Sequence, residues 1–322
     1  MKRIPVVFIG LGRIASLLED DPLREKPCTH AGAVAANPDC RIAAGMDTDP
    51  KRRACFAARW DCAVYDNTET MIKIHAPLIA VVATAPHLHE EYCTLASALG
   101  VPVIICEKPL ADTLAGARRI GRLPARILVN HERRYAKNYR RAKEILESRQ
   151  LGELLSIKMS LCMGKARKLS DVLWNDGTHL IDMLLFLSAS SIQKIGQPWG
   201  AALESKSGTA FLSGTLESGV EFCIEVGAGR DYLVFEIECN CSAGRLQIGN
   251  DIFSVWESAP SPYAKGFRAL AKTEESVSGP TGYFTTMIAD AVACVREAGR
   301  MPCSQVSESI AGIEFLDSIT PD

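Results

Sequence analysis

Residues 6–9 form a short apolar, β-branched run, and Gly10-Leu11-Gly12-Arg13-Ile14-Ala15 follows at once. Nothing else in the chain restricts its fold as much. A strand that ends in Gly-x-Gly-x-x-Gly/Ala and leads into a helix is the dinucleotide-binding fingerprint, with alanine in the third small position here. Gly10 permits the tight turn, Gly12 lets a pyrophosphate approach the backbone, and Ala15 lets the helix lie close to the sheet. The loop is expected to open a helix whose first turn, with Arg13 and Ile14, offers amide donors to the phosphates.

As far as residue 130 the chain alternates two patterns. Apolar runs at 41–46, 78–83, 101–106 and Arg126–Val129 read as buried parallel strands. Pro50–Trp60 and 87–99 have helical spacing, and Gly100 stands just past the second. Repeated strand–helix–strand units with right-handed crossovers give a doubly wound parallel sheet. The second run ends at Asp47, where a carboxylate bridges adenosine ribose hydroxyls and repels a 2′-phosphate, so NAD is favoured over NADP. An extra segment, residues 19–28, lengthens the usual spacing to this acid. Asp49 is an alternative, and either acid could cap the helix Pro50–Trp60; Lys51 and Arg52 would favour NADP.

After Asn130 the pattern changes. A basic amphipathic helix is expected over 136–150, followed by period-two runs at 154–163, Gly208–Leu216, 220–227, 233–241, 245–248 and 252–256. A long helix at 176–187 interrupts them, and two helices close the chain, near 282–298 and 305–318. The expected architecture is an α/β Rossmann domain, residues 1–130, followed by an α+β domain, residues 131–322, with a large, mostly antiparallel open sheet. The 36 basic and 38 acidic side chains nearly balance, which argues against nucleic-acid or membrane-surface partners. No apolar run approaches the ~20 residues of a membrane span, and Arg13 interrupts the apolar start before it can act as a signal peptide. Twelve cysteines without a C-x-x-C pair or a zinc-spaced histidine read as buried thiols in a reducing cytoplasm, with no metal site.

More specific strings then appear in order. Ala83-Thr84-Ala85-Pro86-His87-Leu88-His89 and Cys106-Glu107-Lys108-Pro109-Leu110 each follow a strand. Arg133-Arg134-Tyr135 comes after the last strand, and Asn175-Asp176-Gly177-Thr178-His179-Leu180-Ile181-Asp182 opens the long helix. Together with Cys241-Ser242-Ala243-Gly244-Arg245-Leu246, these resemble the glucose–fructose oxidoreductase / inositol dehydrogenase / MocA family over nearly the whole chain. The resemblance implies a cleft between the two domains and an NAD(P)-dependent dehydrogenase of sugars, polyols or their derivatives, assembled as a homodimer or homotetramer. Carried over by motif, Lys108 hydrogen-bonds the reacting oxygen and His179 exchanges its proton. Glu107 and Pro109 shape the turn beneath the nicotinamide, and Thr84, Pro86 and His89 border the cofactor. The chemistry agrees, since oxidising CH–OH needs a hydride acceptor, a base for the hydroxyl proton and a cation near the developing charge.

One departure stands out. Many relatives carry aspartate four residues before the histidine, and here that position is Asn175, which can orient an imidazole but not neutralise its charge. Lys165, Arg167 and Lys168 form a basic loop that would suit an acidic sugar or a phosphate, or simply a solvated turn. Trp174 could stack on a sugar ring or be a buried aromatic at a helix start, and Arg134 either lines the cleft or pairs with acids on the surface. His30, His75 and His131 have no comparable context and read as structural or surface residues. Two other functions fit the same fold: a glycoside hydrolase that uses bound NAD transiently, and a non-catalytic NAD-binding regulator. Retention of both Lys108 and His179 argues against the regulator.

Overall fold

The computed structural model describes residues 2–164, 167–276 and 281–319. They form two units: the described residues up to Ala136 with Gly282–Ile313, and the rest.

In the first unit the buried runs pair as parallel strands. β1 (Ile4–Ile9), β2 (Cys40–Met46), β3 (Ala63–Tyr65), β4 (Ile79–Val82), β5 (Val103–Cys106) and β6 (Arg126–Val129) lie in the order β3-β2-β1-β4-β5-β6. Every neighbouring pair is parallel. Strand order reverses between β1 and β4, so the chain segments leaving those two strands diverge and open a crevice at the carboxyl edge. Helices α1 (His30–Ala36), α2 (Pro50–Trp60), α3 (Thr68–His75), α4 (His89–Ala98) and α5 (Leu114–Ile120) make the crossovers.

The helix expected near residues 282–298 forms as Tyr283–Arg296 and returns to this sheet. Its Phe284, Met287, Ile288, Ala291 and Cys294 share one core with Val6 and Phe8 of β1, Val81 of β4 and Ile105 of β5. Such a stripe at i, i+3, i+4, i+7 must be buried somewhere, but its period does not say against which sheet. Beside it Asp290 accepts from the Tyr135 hydroxyl (3.1 Å) and the Cys303 amide (2.8 Å), tying the returning segment to the end of the first 136 residues.

The second unit begins with α6 (Lys137–Glu147) and is built on nine strands. β7 (Leu154–Cys162) runs down the middle, followed in the chain by α7 (Leu169–Val172), a π-helical turn (Leu173–Gly177) and α8 (Thr178–Ser188). Then come β8 (Ile192–Ile195), β9 (Trp199–Gly200), β10 (Gly208–Leu216), β11 (Glu221–Ala228), β12 (Val234–Cys241), β13 (Gly244–Gly249), β14 (Phe253–Pro260) and β15 (Arg268–Ser276). The order is β15-β14-β13-β12-β7-β11-β10-β8, with β9 on β10, and only β7–β11 is parallel. This is the Rossmann unit plus large, mostly antiparallel sheet that the pattern predicts. Alternate residues Ile157, Met159 and Leu161 of β7 and Phe235, Ile237 and Cys239 of β12 are buried on one face. α8 is apolar almost all round, with Leu180, Ile181, Met183, Leu184, Leu185 and Leu187 all buried. β15 escapes a sequence reading because, as an edge strand, it is exposed along nearly its whole length and shows no alternation.

Candidate active site

The fingerprint loop leaves β1 as a tight turn. Gly10 has φ +89°, and a Cβ there would lie 2.7 Å from the Ala83 carbonyl oxygen. Gly12 is open: the nearest atom to a Cβ would be Nη1 of Arg52, at 3.9 Å. That is the space into which a pyrophosphate must come, so the loop fits a dinucleotide.

The expected helix is interrupted. Ser16 N–H donates to Gly12 O (3.1 Å) and Leu18 N–H to Arg13 O (2.9 Å), making a turn that ends in a 3₁₀ segment at Leu17–Asp20. The chain then makes an excursion, pinned where Glu19 accepts from Thr29 Oγ1 (2.5 Å) and the Cys28 amide (3.3 Å). α1 resumes what the first turn began: His30 N–H donates to Ile14 O (3.2 Å) and Ala31 N–H to Ala15 O (3.0 Å). The extra segment seen in the sequence is thus spliced into the fingerprint helix itself. Ala15 is fully buried, Ile14 half-buried, and Arg13 exposed.

Asp47 is buried at the end of β2, one oxygen accepting from the Leu11 amide (2.8 Å) and the other from the Asp49 amide (2.9 Å). Asp49 is the N-cap of α2, accepting from Lys51 N–H at 2.8 Å, which leaves Asp47 to hold the glycine loop. Arg52, half-exposed, brings Nη1 within 3.6 Å of the Asp47 carboxylate, so an acid and a cation stand together beside the glycine loop.

Thr84 and Pro86 are half-buried on the segment leaving β4. His89 is fully buried, with Nδ1 3.0 Å from Pro109 O and Nε2 3.1 Å from Thr84 O. It clamps the β4 and β5 loops together instead of facing an opening, and burial pushes its imidazole below the ordinary value against the pull of the Thr84 carbonyl. Glu107 is buried on the turn after β5. His30 Nε2 lies 2.6 Å from its Oε1, and Asn130 Nδ2 donates to the same oxygen at 2.6 Å. Burial pushes this carboxyl up, but the hydrogen bond and charge of His30, the hydrogen bond from Asn130 and the charge of Lys108 more than reverse that, holding it below its usual range. Lys108 is half-buried on the same turn, its bond to Pro109 is cis, and its charge also acts on Glu132.

In the second unit, Asn175 lies on the π-helical turn and donates to the Asp171 carbonyl (2.7 Å). His179 follows one turn on in α8, half-buried, and Trp174 is half-buried beside Asn175. Single π turns inside α-helices recur at functional positions, and here one directly precedes the histidine. Of the basic loop, Arg167 pairs with Asp176 (3.3 Å) and Lys168 with Glu204, while Lys165 lies outside the described residues. The charges of Arg167 and Lys168 are thus matched by acids in the same unit.

Arg134 corrects another expectation. Its side chain is 2% exposed and its guanidinium bonds Glu308 (2.6 Å) and the Cys303 carbonyl (3.2 Å), so it ties the returning segment down and does not line an opening for substrate. His30 is a buried structural residue, as expected, but sequence reasoning does not show that it and Asn130 hold Glu107. For Asn130 a signal exists, because it directly follows β6 at the carboxyl edge of a parallel sheet; for His30, 77 residues from Glu107, none does.

Residues 4–127 match the family described as "Oxidoreductase family, NAD-binding Rossmann fold". The chain is 33% identical over 150 residues to an inositol 2-dehydrogenase of Serratia proteamaculans, covering 44% of each chain, so it matches less than half that protein's length. It is 30% identical over 274 residues to an inositol 2-dehydrogenase of Streptomyces avermitilis, covering 80% of this chain and 76% of that one. Among solved structures, a dehydrogenase from Chromobacterium violaceum superposes with a TM-score of 0.79 over 99% of this chain and 95% of its own, at 20% identity, a likeness of fold. None of the helices of the described residues is long and apolar enough to cross a membrane, and none of the twelve cysteines is in a disulfide.

Proposed function

The chain belongs to the glucose–fructose oxidoreductase / inositol dehydrogenase / MocA family of NAD-binding oxidoreductases, and on that premise we propose that it transfers hydride between NAD and a CH–OH or ketone carbon of a polyol, sugar or sugar derivative. The observation that carries this reading is the Glu107-Lys108-Pro109 turn at the end of β5, on the same carboxyl edge as the open glycine loop. A phosphate-accepting loop with a lysine on that edge is the pairing a hydride-transfer site needs.

The bound nicotinamide supplies the hydride acceptor or donor. Gly10, Gly12, Arg13 and Ile14 form its phosphate turn, Asp47 reads the ribose, Thr84 and Pro86 border the ring side, and His89 and Glu107 fix the loops. Lys108 donates from Nζ to the substrate oxygen and stabilises charge developing there. His179 takes or returns the hydroxyl proton, with an unperturbed imidazole pKa of about 6.5 suiting exchange near neutrality. Asn175 orients it by hydrogen bonding, and Trp174 offers a face to the substrate ring. Neutralisation of Arg167 and Lys168 favours an uncharged polyol or sugar over an acidic one. The chain's compartment and assembly, the cytoplasm and a homodimer or homotetramer, are carried over from the family resemblance.

The test is a fluorescence titration of stripped protein with NADH and NADPH, then a screen of myo-inositol, other polyols and free sugars for NADH formation. Tighter NADH binding and turnover of a neutral polyol or sugar are expected; binding of neither nucleotide ends the proposal. The Asp47→Ala variant should weaken NADH by about 10- to 100-fold, the loss of a charge-assisted hydrogen bond, and NADPH by less. Equal losses would assign ribose reading to another residue, and a gain for NADPH would identify Arg52 as the group that meets a 2′-phosphate.

A further inference from the structure

Behind the lysine turn lies a closed polar cluster that the reaction as described does not use. His30 is 0% exposed. Its backbone N–H holds Ile14 O of the fingerprint turn (3.2 Å), while its ring reaches Glu107 Oε1 (2.6 Å). One residue therefore bonds both the phosphate turn and the lysine turn. Glu107 is further fixed by its own amide, which donates to Val82 O of β4 (3.0 Å), and by Asn130, whose amide donates to Cys106 O (2.7 Å).

The proton on His30 can be placed. Nδ1 is buried with no hydrogen-bond partner, and the ring meets Phe284 edge-on at 5.1 Å. A proton on Nδ1 would be an unsatisfied buried donor, which is costly away from water. The proton sits on Nε2, which donates to the carboxylate.

We infer that His30 is a positioning residue for Lys108, acting through Glu107: it donates Nε2–H to Oε1 and so fixes the turn that presents the neighbouring Lys108, registered to the cofactor turn. The inference rests on the proposed role of Lys108 in holding the reacting oxygen. The other charged or titratable groups that act on or feel Glu107 are Lys108 on the same turn, Glu132 after β6, His89 of α4 and Cys106 of β5. Of these only Lys108 brings a positive charge that favours the carboxylate, so His30 and Asn130 supply the hydrogen bonds that offset its burial.

The experiment uses the full chain in two arms. Nitrogen-15 NMR of histidine-labelled protein, with the His30 signals assigned by their loss in His30→Gln, reads the tautomer without any substrate. A proton on Nε2 is expected, and a form protonated on Nδ1 alone overturns the inference. In the same arm, Lys108 is acetylated with acetic anhydride and quantified by mass spectrometry. His30→Phe should label several-fold faster than wild type because the turn that presents the ammonium is no longer held; His30→Gln, which keeps a donor, should label at close to the wild-type rate. Equal labelling in all three proteins overturns the inference.

The second arm measures kcat and KM for myo-inositol, or for a sugar found by the screen, across pH. With the donor gone, burial dominates at Glu107, its carboxyl rises, and the carboxylate is lost at a higher pH. His30→Phe should therefore lower kcat by about 10- to 100-fold, the usual cost of an outer hydrogen-bond partner, move the acid limb to higher pH and leave NADH affinity unchanged. His30→Gln should restore most of the rate. If both variants lose rate equally with an unmoved pH profile, His30 is only structural. Lys108→Ala in the same assay separates the two claims. Full turnover without Lys108 defeats the proposed chemistry, whereas loss of turnover there with intact His30→Phe defeats this inference alone.

Discussion

Lys108→Ala should lower kcat by about a thousandfold at neutral pH while NADH affinity stays within about threefold of wild type. The size follows from what the side chain is asked to do. A hydrogen bond and a full charge directed at an oxygen that becomes negative only during hydride transfer stabilise the transition state more than the ground state. Such preorganised donors contribute about 3–4 kcal/mol each. The turn that presents Lys108 is anchored independently of that side chain, through Glu107 to Val82, His30 and Asn130, so truncation to alanine leaves the loop in place. Steady-state kinetics with NAD and the polyol identified by the screen, beside a fluorescence titration with NADH, separate the outcomes. Loss of NADH affinity in step with turnover would show that Lys108 holds the nucleotide instead of the substrate. Turnover near wild type would remove it from the chemistry. Lys108→Arg should recover little, because a planar fork on a longer stem does not put a single donor where the ammonium stood.

The features legible in the sequence are those in which local pattern and global fold state the same constraint. The fingerprint of residues 10–15 needs a strand before it and a crevice above it, and a parallel sheet whose order reverses beside β1 supplies both. The period-two runs of β7, β10, β11 and β12 each demand one buried face, so they could only be strands of a half-covered sheet. What is not legible depends on which surfaces meet. The stripe of Tyr283–Arg296 announces a buried face, yet its partner is a sheet formed by the first 130 residues. Arg134 looks from its neighbours like a cleft residue, but Glu308, 174 positions away, takes its guanidinium inward. The fingerprint helix reads as continuous, and only the bonds from His30 and Ala31 back to Ile14 and Ala15 reveal that it is cut and resumed. The same splice brings His30 to Glu107, which is why a histidine without local context ends up behind the lysine turn.

Gly10 and Gly12 stand two residues apart and should fail in opposite ways. At Gly10 the backbone is left-handed, φ +89°, and a methyl group would sit 2.7 Å from the Ala83 carbonyl oxygen. Neither side can give way cheaply, because Gly10 N–H is bonded to Met46 O (2.8 Å) and Ala83 N–H to Ile9 O (2.8 Å). Strain and clash together should cost Gly10→Ala about 2–4 kcal/mol, a large share of a stability of about 5–15 kcal/mol, and lower the urea midpoint accordingly. At Gly12 φ is ordinary and the nearest atom to the added carbon is 3.9 Å away, so Gly12→Ala should keep the wild-type midpoint to within about 0.5 kcal/mol. Its methyl group instead fills the space above the loop that a pyrophosphate would occupy, and NADH affinity should fall by more than about 100-fold. Paired urea melts and NADH titrations on the two variants read both effects. A Gly12→Ala protein that binds NADH as wild type does would mean that no dinucleotide lies over this loop, and the assignment of Asp47, Lys108 and His179 to a hydride-transfer site would fall with it. A Gly10→Ala protein of undiminished stability would mean that β1 and β4 can part at their carboxyl ends, so the crevice between them would be no rigid cradle for a cofactor.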